Sequence, residues 1–105
     1  GFVFINHACN CLNGKFANSV IDKRALGYFG ADKEVSSSSA DYEQSLCIAQ
    51  KVIGGEILEN ALKICKTDAK KVHPNNPFKF GLRGEGKYRS IRSNSDLAAS
   101  LFYDL

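Results

Sequence analysis

Four cysteines and two histidines are the side chains of this 105-residue chain best suited to nucleophilic or metal chemistry. Cys9 stands out by its position. Phe2-Val3-Phe4-Ile5 is an apolar run suited to a buried strand. It passes through Asn6, His7 and Ala8 into Cys9-Asn10-Cys11, a polar, turn-prone segment that ends at Asn13-Gly14. A thiol at the end of a rigid strand has support behind it and open space ahead, which is what a cysteine nucleophile needs. In parallel sheets, functional groups gather at the carboxyl ends of strands. Cys11 competes for the same role. The backbone amides of Asn10 and Cys11 are candidate donors to an oxyanion. The helix expected a few residues later would help hold a thiolate with its positive end. The plain alternative is a core strand whose last residues are merely polar.

A cysteine nucleophile usually works with a histidine base. His7 lies two residues before Cys9, so on a strand both side chains point to one face. Two residues span roughly 6–7 Å along a strand, too far for reliable proton transfer between them. His7 therefore reads as a satisfied buried histidine, and His73, just before Pro74, as a surface residue. Within this chain the dyad is incomplete. Cys47 and Cys65 each fall on the apolar stripe of an expected helix, where a free cysteine behaves as a small hydrophobe. Cys9-x-Cys11 with no second close pair is poor zinc spacing. The chain reads as reduced and cytoplasmic, with no metal or cofactor. Two disulfides in a small secreted protein are the alternative.

Several elements must position these groups. Residues 2–8 read as a central parallel strand, apolar on both faces. Asn13 or Gly14 opens a helix over about 15–24, with Phe16, Val20 and Ile21 on one side. Arg24 to Gly30 reads as a second strand, and a strand–helix–strand unit of this length implies parallel pairing. Asp32 to Ala40, with four consecutive serines from Ser36 to Ser39, is a loop. Ser39 or Asp41 caps a helix over about 42–53, which Gly54-Gly55 ends. A second helical stripe follows at 56–67: Ile57, Leu58, Ala61, Leu62 and Cys65. Residues 72–77 are loop. Phe78–Arg83 and Lys87–Ile91 read as strands around a turn at 83–86, and Asn94 or Ser95 caps a last helix. The whole is an α/β layered domain with a short, mostly parallel sheet flanked by helices.

Composition narrows the classes. The chain is one domain or part of one, and its 44% apolar content suffices for a modest core. No apolar run reaches the roughly 18–20 residues that span a membrane. The sequence has no methionine, and strand-like sequence begins at Phe2. The expectation is therefore a processed chain or an excised fragment. The net charge of +3 is unevenly spread. Lys66, Lys70, Lys71, Lys79, Arg83, Lys87, Arg89 and Arg92 face only Asp68 and Glu85 in the same stretch. Such a surface attracts acidic partners or phosphates, although a solvated basic face is the simpler reading. No RNA-binding signature surrounds its aromatic residues, so a nucleic acid is not the expected partner. Gly81 to Lys87 fits G-x-x-x-x-G-K, but Tyr88 replaces the hydroxyl that would bind magnesium and a strand pattern follows instead of a helix. A glycine-containing hairpin is the better reading.

At this point the sequence resembles a family. Ile5-Asn6-His7-Ala8-Cys9-Asn10-Cys11 is similar to the strand-end nucleophile segment of caspase-like cysteine peptidases. The caspase form is Q-A-C-[RQG]-G, with its histidine about 50 residues upstream. Ala8-Cys9 matches; His7, Asn10 and Cys11 depart from the other three positions. Bacterial caspase-like domains of the CHAT and gingipain-like type follow this segment with a helix. A strand similar to Arg24-Ala25-Leu26-Gly27-Tyr28-Phe29-Gly30 comes next. After a polar loop they carry a helix similar to Gly54-Gly55-Glu56-Ile57-Leu58-Glu59-Asn60-Ala61-Leu62-Lys63-Ile64-Cys65. Phe80-Gly81-Leu82-Arg83-Gly84-Glu85-Gly86 has the place of their final strand and turn but lacks its Asp-Pro.

The resemblance covers residues 1–91 in order. It implies that residues 1–105 form the C-terminal part or subunit of a caspase-like domain. Cys9 would be the nucleophile of a cysteine endopeptidase, a thiol-dependent hydrolase, with Asn10 and Cys11 near the oxyanion. The base histidine would lie on a missing upstream strand. The isolated chain would then be inactive until an N-terminal segment or a second chain completes the site. The serine loop 32–41 would border the cleft for a protein or peptide substrate, where Asp32, Glu34 and Asp41 would suit a basic side chain. Two other classes stand beside this one: a non-catalytic interaction module with a basic surface, and a small disulfide-linked secreted protein or toxin subunit.

Overall fold

A computed structural model describes residues 2–84. Its elements are β1 (Val3–Ile5), α1 (Lys15–Asp22), β2 (Gly27–Ala31), α2 (Ser39–Ile53), α3 (Leu58–Val72) and β3 (Phe80–Gly84). The strand expected over 87–91 and the helix after Ser95 lie outside the described residues. The strands form one sheet in the order β1-β2-β3. β1 pairs with β2 in parallel, Val3 opposite Gly27 and Ile5 opposite Phe29, as the short strand–helix–strand spacing predicts. β3 pairs with β2 antiparallel, Phe80 opposite Ala31 and Gly84 opposite Gly27. The described sheet is therefore mixed rather than mostly parallel. β2 and β3 are joined through two helices, α2 and α3, after which residues 73–79 bring the chain back antiparallel along β2.

Alternation along the strands divides the core into two layers. Val3, Ile5, Phe29 and Ala31 point to one face and pack with Ile48, Ala49 and Val52 of α2 and Leu58, Ala61 and Cys65 of α3. Phe4 and Tyr28 point to the other face, against Ala17 and Val20 of α1. Every residue of β2 is buried, which suits a central strand covered on both sides. Phe4 and Tyr28 stack with ring centroids 5.7 Å apart, and Phe16 meets Phe4 edge-on at 5.4 Å.

Helix boundaries differ from the periodicity in informative places. α2 begins at Ser39, because Ser38 caps it by accepting the Asp41 amide at 3.3 Å. Asp41 is thus a first-turn residue inside the helix, favoured there by the helix dipole. α3 continues to Val72, past the last apolar stripe position, with Lys70 and Lys71 complementing its negative end.

The expectation of four free thiols is wrong. Cys47 of α2 and Cys65 of α3 form a disulfide, with Cα atoms 5.7 Å apart. Each apolar stripe was legible, but periodicity on one helix does not reveal which residue of another helix it meets. Packing both stripes onto one sheet face brings the two sulfurs within bonding reach. Among the described residues, no helix is long and apolar enough to cross a membrane.

Candidate active site

The chain makes a tight reversal after β1. The Asn6 amide donates to the Phe29 carbonyl at 2.9 Å and extends the parallel ladder by one step. Asn10 then takes a left-handed conformation, φ 52°, a shape asparagine tolerates better than most residues. From there the chain returns: Asn10 donates to the Lys33 carbonyl at 3.0 Å and Leu12 to the Ala31 carbonyl at 2.9 Å. The returning limb lies directly on the sheet. A Cβ at Gly30 would meet the Leu12 Cα and the Cys11 Sγ at 3.0 Å, and one at Gly81 would meet a Leu12 methyl at 2.7 Å. Those two glycines make room for the reversal.

The two candidate thiols part company here. Cys9 is exposed near the bend, and Cys11 is partly buried on the returning limb. The Cys11 Sγ donates to the Asn6 carbonyl at 3.4 Å and accepts from the Ala31 amide at 3.3 Å, so it braces the reversal from inside. The Tyr28 hydroxyl donates to the Cys11 carbonyl at 2.7 Å and accepts from the Asn6 side-chain amide at 3.0 Å. Burial pushes the Tyr28 phenol up to about 12, with the contacts to Cys11 adding to the rise against opposing contributions from Asn6 and Arg83.

Cys9 Sγ has a different pair of contacts, both with one residue of the serine loop. It donates to the Val35 carbonyl at 3.1 Å and accepts the Val35 amide at 3.3 Å. α1 begins only at Lys15, so the first-turn amides that sequence reasoning offered to a thiolate are not the sulfur's hydrogen-bond partners. Of the expected oxyanion donors, the Asn10 amide is already engaged by Lys33.

His7 is buried beneath this surface, only 7% exposed. Its Nε2 lies 3.0 Å from the Ser36 carbonyl, which can only accept, so Nε2 carries a proton. Its Nδ1 lies 2.9 Å from the Ser45 hydroxyl, and its ring stacks on Tyr42 at 4.2 Å. Both nitrogens are occupied, as the spacing from Cys9 predicts for a buried, satisfied histidine. His73 caps the C-terminus of α3 and pairs with Glu43 at 2.6 Å. Neither histidine presents a free ring nitrogen to Cys9.

The group that sequence reasoning misplaced is Asp41. Its suggested role toward a basic substrate does not survive, because Asp41 is fully buried and fully engaged. Its Oδ2 accepts from the Ser36 amide at 2.8 Å, the Ser36 hydroxyl at 3.0 Å and the Lys79 ammonium at 2.9 Å. Its Oδ1 accepts from the Asn76 side chain at 3.0 Å. Burial raises the carboxyl, but Lys79, Asn76 and Ser36 together outweigh it and hold Asp41 well below the usual carboxylate range. Gln44 extends the network by donating to the Pro77 carbonyl at 3.1 Å and accepting the Lys79 amide at 3.0 Å. The start of α2 thereby ties the serine loop to the chain entering β3. The available sequence signal was Ser38-x-x-Asp41, a helix-start pattern. Its partners at 76 and 79 are visible only in three dimensions. Lys79 is thus lost to the basic surface, and Arg83 turns to the Leu12 carbonyl at 3.4 Å.

An open hollow of about 290 Å³ lies at this end of the sheet, lined by His7, Ala8, Cys9, Val35, Ser36, Ser37 and Tyr42. Val35, Ser36 and Ser37 of the serine loop therefore border the thiol. The arrangement offers an exposed thiol with an amide and a carbonyl at the sulfur, and His7, which also lines the hollow, has both ring nitrogens engaged by Ser45 and Ser36. Residues 81–84 of the phosphate-loop pattern are β3, an extended strand rather than a cradle. Among the described residues, no group of three or more His, Cys, Asp or Glu side chains converges to hold a metal ion. Comparison with family models, curated proteins and solved structures finds no match to this chain.

Proposed function

We propose that the chain contributes the nucleophile of a caspase-like cysteine endopeptidase, with Cys9 as the attacking thiol. The observation that carries this reading is the placement of Cys9. It is an exposed thiol just past the carboxyl end of a parallel strand, in the lining of an open hollow that the serine loop also lines. The base comes from outside the described residues, on an N-terminal segment or a second chain, because His7 and His73 are both committed elsewhere. The substrate is a protein or peptide. Asp32 and Glu34, exposed in the same loop, remain to suit a basic side chain, although Asp32 already contacts Lys33 at 3.2 Å.

The test is iodoacetamide labelling of the native protein across pH 5–9, read by peptide mapping. Carbamidomethylation of Cys9 at least about tenfold faster than of Cys11 is the expected result. Equal rates, or preference for Cys11, would remove Cys9 from the role.

The disulfide favours one element of a second reading. A Cys47–Cys65 bond belongs more naturally to an oxidising compartment, which weighs toward secretion rather than the cytoplasm. A secreted peptidase component satisfies both observations. The interaction-module reading retains Lys63, Lys66, Lys70 and Lys71, exposed on α3, as its basic face.

A further inference from the structure

We propose that α3 and the chain just after it form a docking surface for an acidic peptide segment of a partner protein, which seats an apolar side chain on Pro74, Pro77 and Phe78 and pairs its carboxylates with Lys66 and Lys70. This goes beyond the reading of Cys9 as nucleophile and does not depend on it.

The charge follows from the helix period. Lys63, Lys66, Lys70 and Lys71 are all exposed on α3. Residues three, four and seven apart share one side of a helix, so Lys63, Lys66 and Lys70 form a row about 10 Å long. Among the described residues none of these lysines makes an ion pair; the ammoniums so engaged are those of Lys33 and Lys79. The acids of the helix do not answer the row. Asp68 lines the cavity beside Cys47 and Cys65, and exposed Glu59 stands a turn before Lys63. Like charges at this spacing repel one another, and an anionic partner relieves the repulsion.

Shape adds what charge alone lacks. A hollow of about 200 Å³ is lined by Lys66 and Lys70 together with Pro74, Asn76, Pro77 and Phe78. The same two lysines border a second hollow with Thr67 and Lys71. Lys66 and Lys70 therefore stand between an apolar floor and a cationic groove. The floor is held in place. The Asn76 amide donates to the His73 carbonyl at 3.0 Å, and the Asn76 side chain donates to Asp41 at 3.0 Å. The Pro77 carbonyl accepts from Gln44 at 3.1 Å. Phe78 packs against the core and meets Phe80 edge-on, with ring centroids 6.3 Å apart. A surface already fixed in this way loses little conformational freedom when a partner binds.

These features favour a peptide over a phosphate or sulfate polymer. A polyanion makes no use of a floor of two prolines and a phenylalanine. It also brings no donor for Asn76, whose side-chain NH₂ is engaged by Asp41 and whose carbonyl oxygen is left to accept a peptide N–H. The row is lysine throughout, a point charge that suits single carboxylates, and it holds no arginine, whose forked donors match phosphate.

Fluorescence anisotropy tests this with the full chain and a fluorescein-labelled peptide in which one phenylalanine is followed by four glutamates. The native protein should bind the probe saturably. Lys66→Gln with Lys70→Gln keeps good helix formers and removes both charges, and should weaken binding about tenfold. Lys15→Gln with Lys23→Gln removes the same charge from exposed positions at the two ends of α1 and should change binding less than about twofold. A probe with alanine in place of its phenylalanine should bind about fivefold more weakly. Circular dichroism checks that both double variants are folded. Absence of saturable binding overturns the proposal. Equal losses in the two double variants also overturn it, since they would mean attraction to net charge alone. A heparin oligosaccharide that displaces the probe, with the phenylalanine making no difference, would reassign the face to polyanions and overturn it likewise. Cys9 alkylation is measured separately, so the docking surface and the nucleophile reading can each fail alone.

Discussion

The two cysteine pairs of this chain face opposite outcomes. Cys9 and Cys11 are separated by one residue and remain free thiols, whereas Cys47 and Cys65, eighteen residues apart, are bonded. The first pair sits on a reversal, where the left-handed Asn10 sends one side chain outward to the serine loop and the other back onto the sheet. The second pair sits on two helices whose apolar stripes share one core. Closeness in sequence therefore says little about which thiols meet. The direction of the Cα–Cβ bonds, set by the elements that carry them, decides it.

Removing the whole bonded pair, and separately the exposed thiol of the free pair, should expose the contrast most strongly. Cys47→Ala with Cys65→Ala should cost about 2–4 kcal/mol, because the cross-link restrains the unfolded chain as well as joining α2 to α3. The melting temperature should then fall by roughly 10–20 °C for a chain of this size. Cys9→Ala should stay within about 0.5 kcal/mol, since the residue is exposed and makes only side-chain contacts with Val35. Thermal melts with and without reductant measure both. Equal losses would mean that the turn is as structural as the helix pair.

The next effect concerns the floor beneath the reversal. A Cβ at Gly30 would stand 2.7 Å from the Tyr28 ring and 3.0 Å from both the Cys11 sulfur and the Leu12 backbone. Gly30→Ala should therefore destabilise by about 1–3 kcal/mol and speed alkylation of Cys11, whose partly buried sulfur must shift. Urea titration gives the first quantity and peptide mapping the second. A neutral Gly30→Ala would show that the reversal does not press on β2.

The smallest effect is a pH signature of the same limb. The Tyr28 phenol is raised by burial to about 12 in the folded chain, against about 10 when unfolded. A raised value means that the neutral form is favoured by folding. Its contribution is complete below pH ~10 and is lost as the pH climbs toward 12. Stability measured by urea at pH 9, 10 and 11 should decline, and Tyr28→Phe should flatten the decline at those values. Asp41 works at the other extreme. Its carboxyl is depressed on folding, so its contribution is present above the unfolded value near ~3.9 and drains as acid is added below it.

Much of the frame was legible in the residues. The apolar run at 2–5, the helical stripes at 42–53 and 56–67 and the short strand–helix–strand spacing each arise from local order. Each has its counterpart in β1, α2, α3 and the parallel β1–β2 pair. The emphasis on Cys9 also came from local order, a strand followed by turn residues. What sequence could not supply were relations between distant residues. Asp41 reads as a helix cap or as an acid suited to a basic substrate side chain until Asn76 and Lys79 come to rest beside it. Val35 carries no side-chain chemistry at all, and its contacts with Cys9 are made by backbone groups that every residue possesses.

The amino-acid sequence by itself determined the elements of this protein and the place of its most suggestive thiol, because helix and strand periods and turn-forming residues act over a few positions. Tertiary structure alone decided which thiols bond, that His7 is held from both ring nitrogens, and that a buried aspartate stands behind the peptide touching Cys9. Those outcomes depend on distances and directions between segments tens of residues apart, which emerge only when both faces of the sheet are covered and every buried polar group must find its partner.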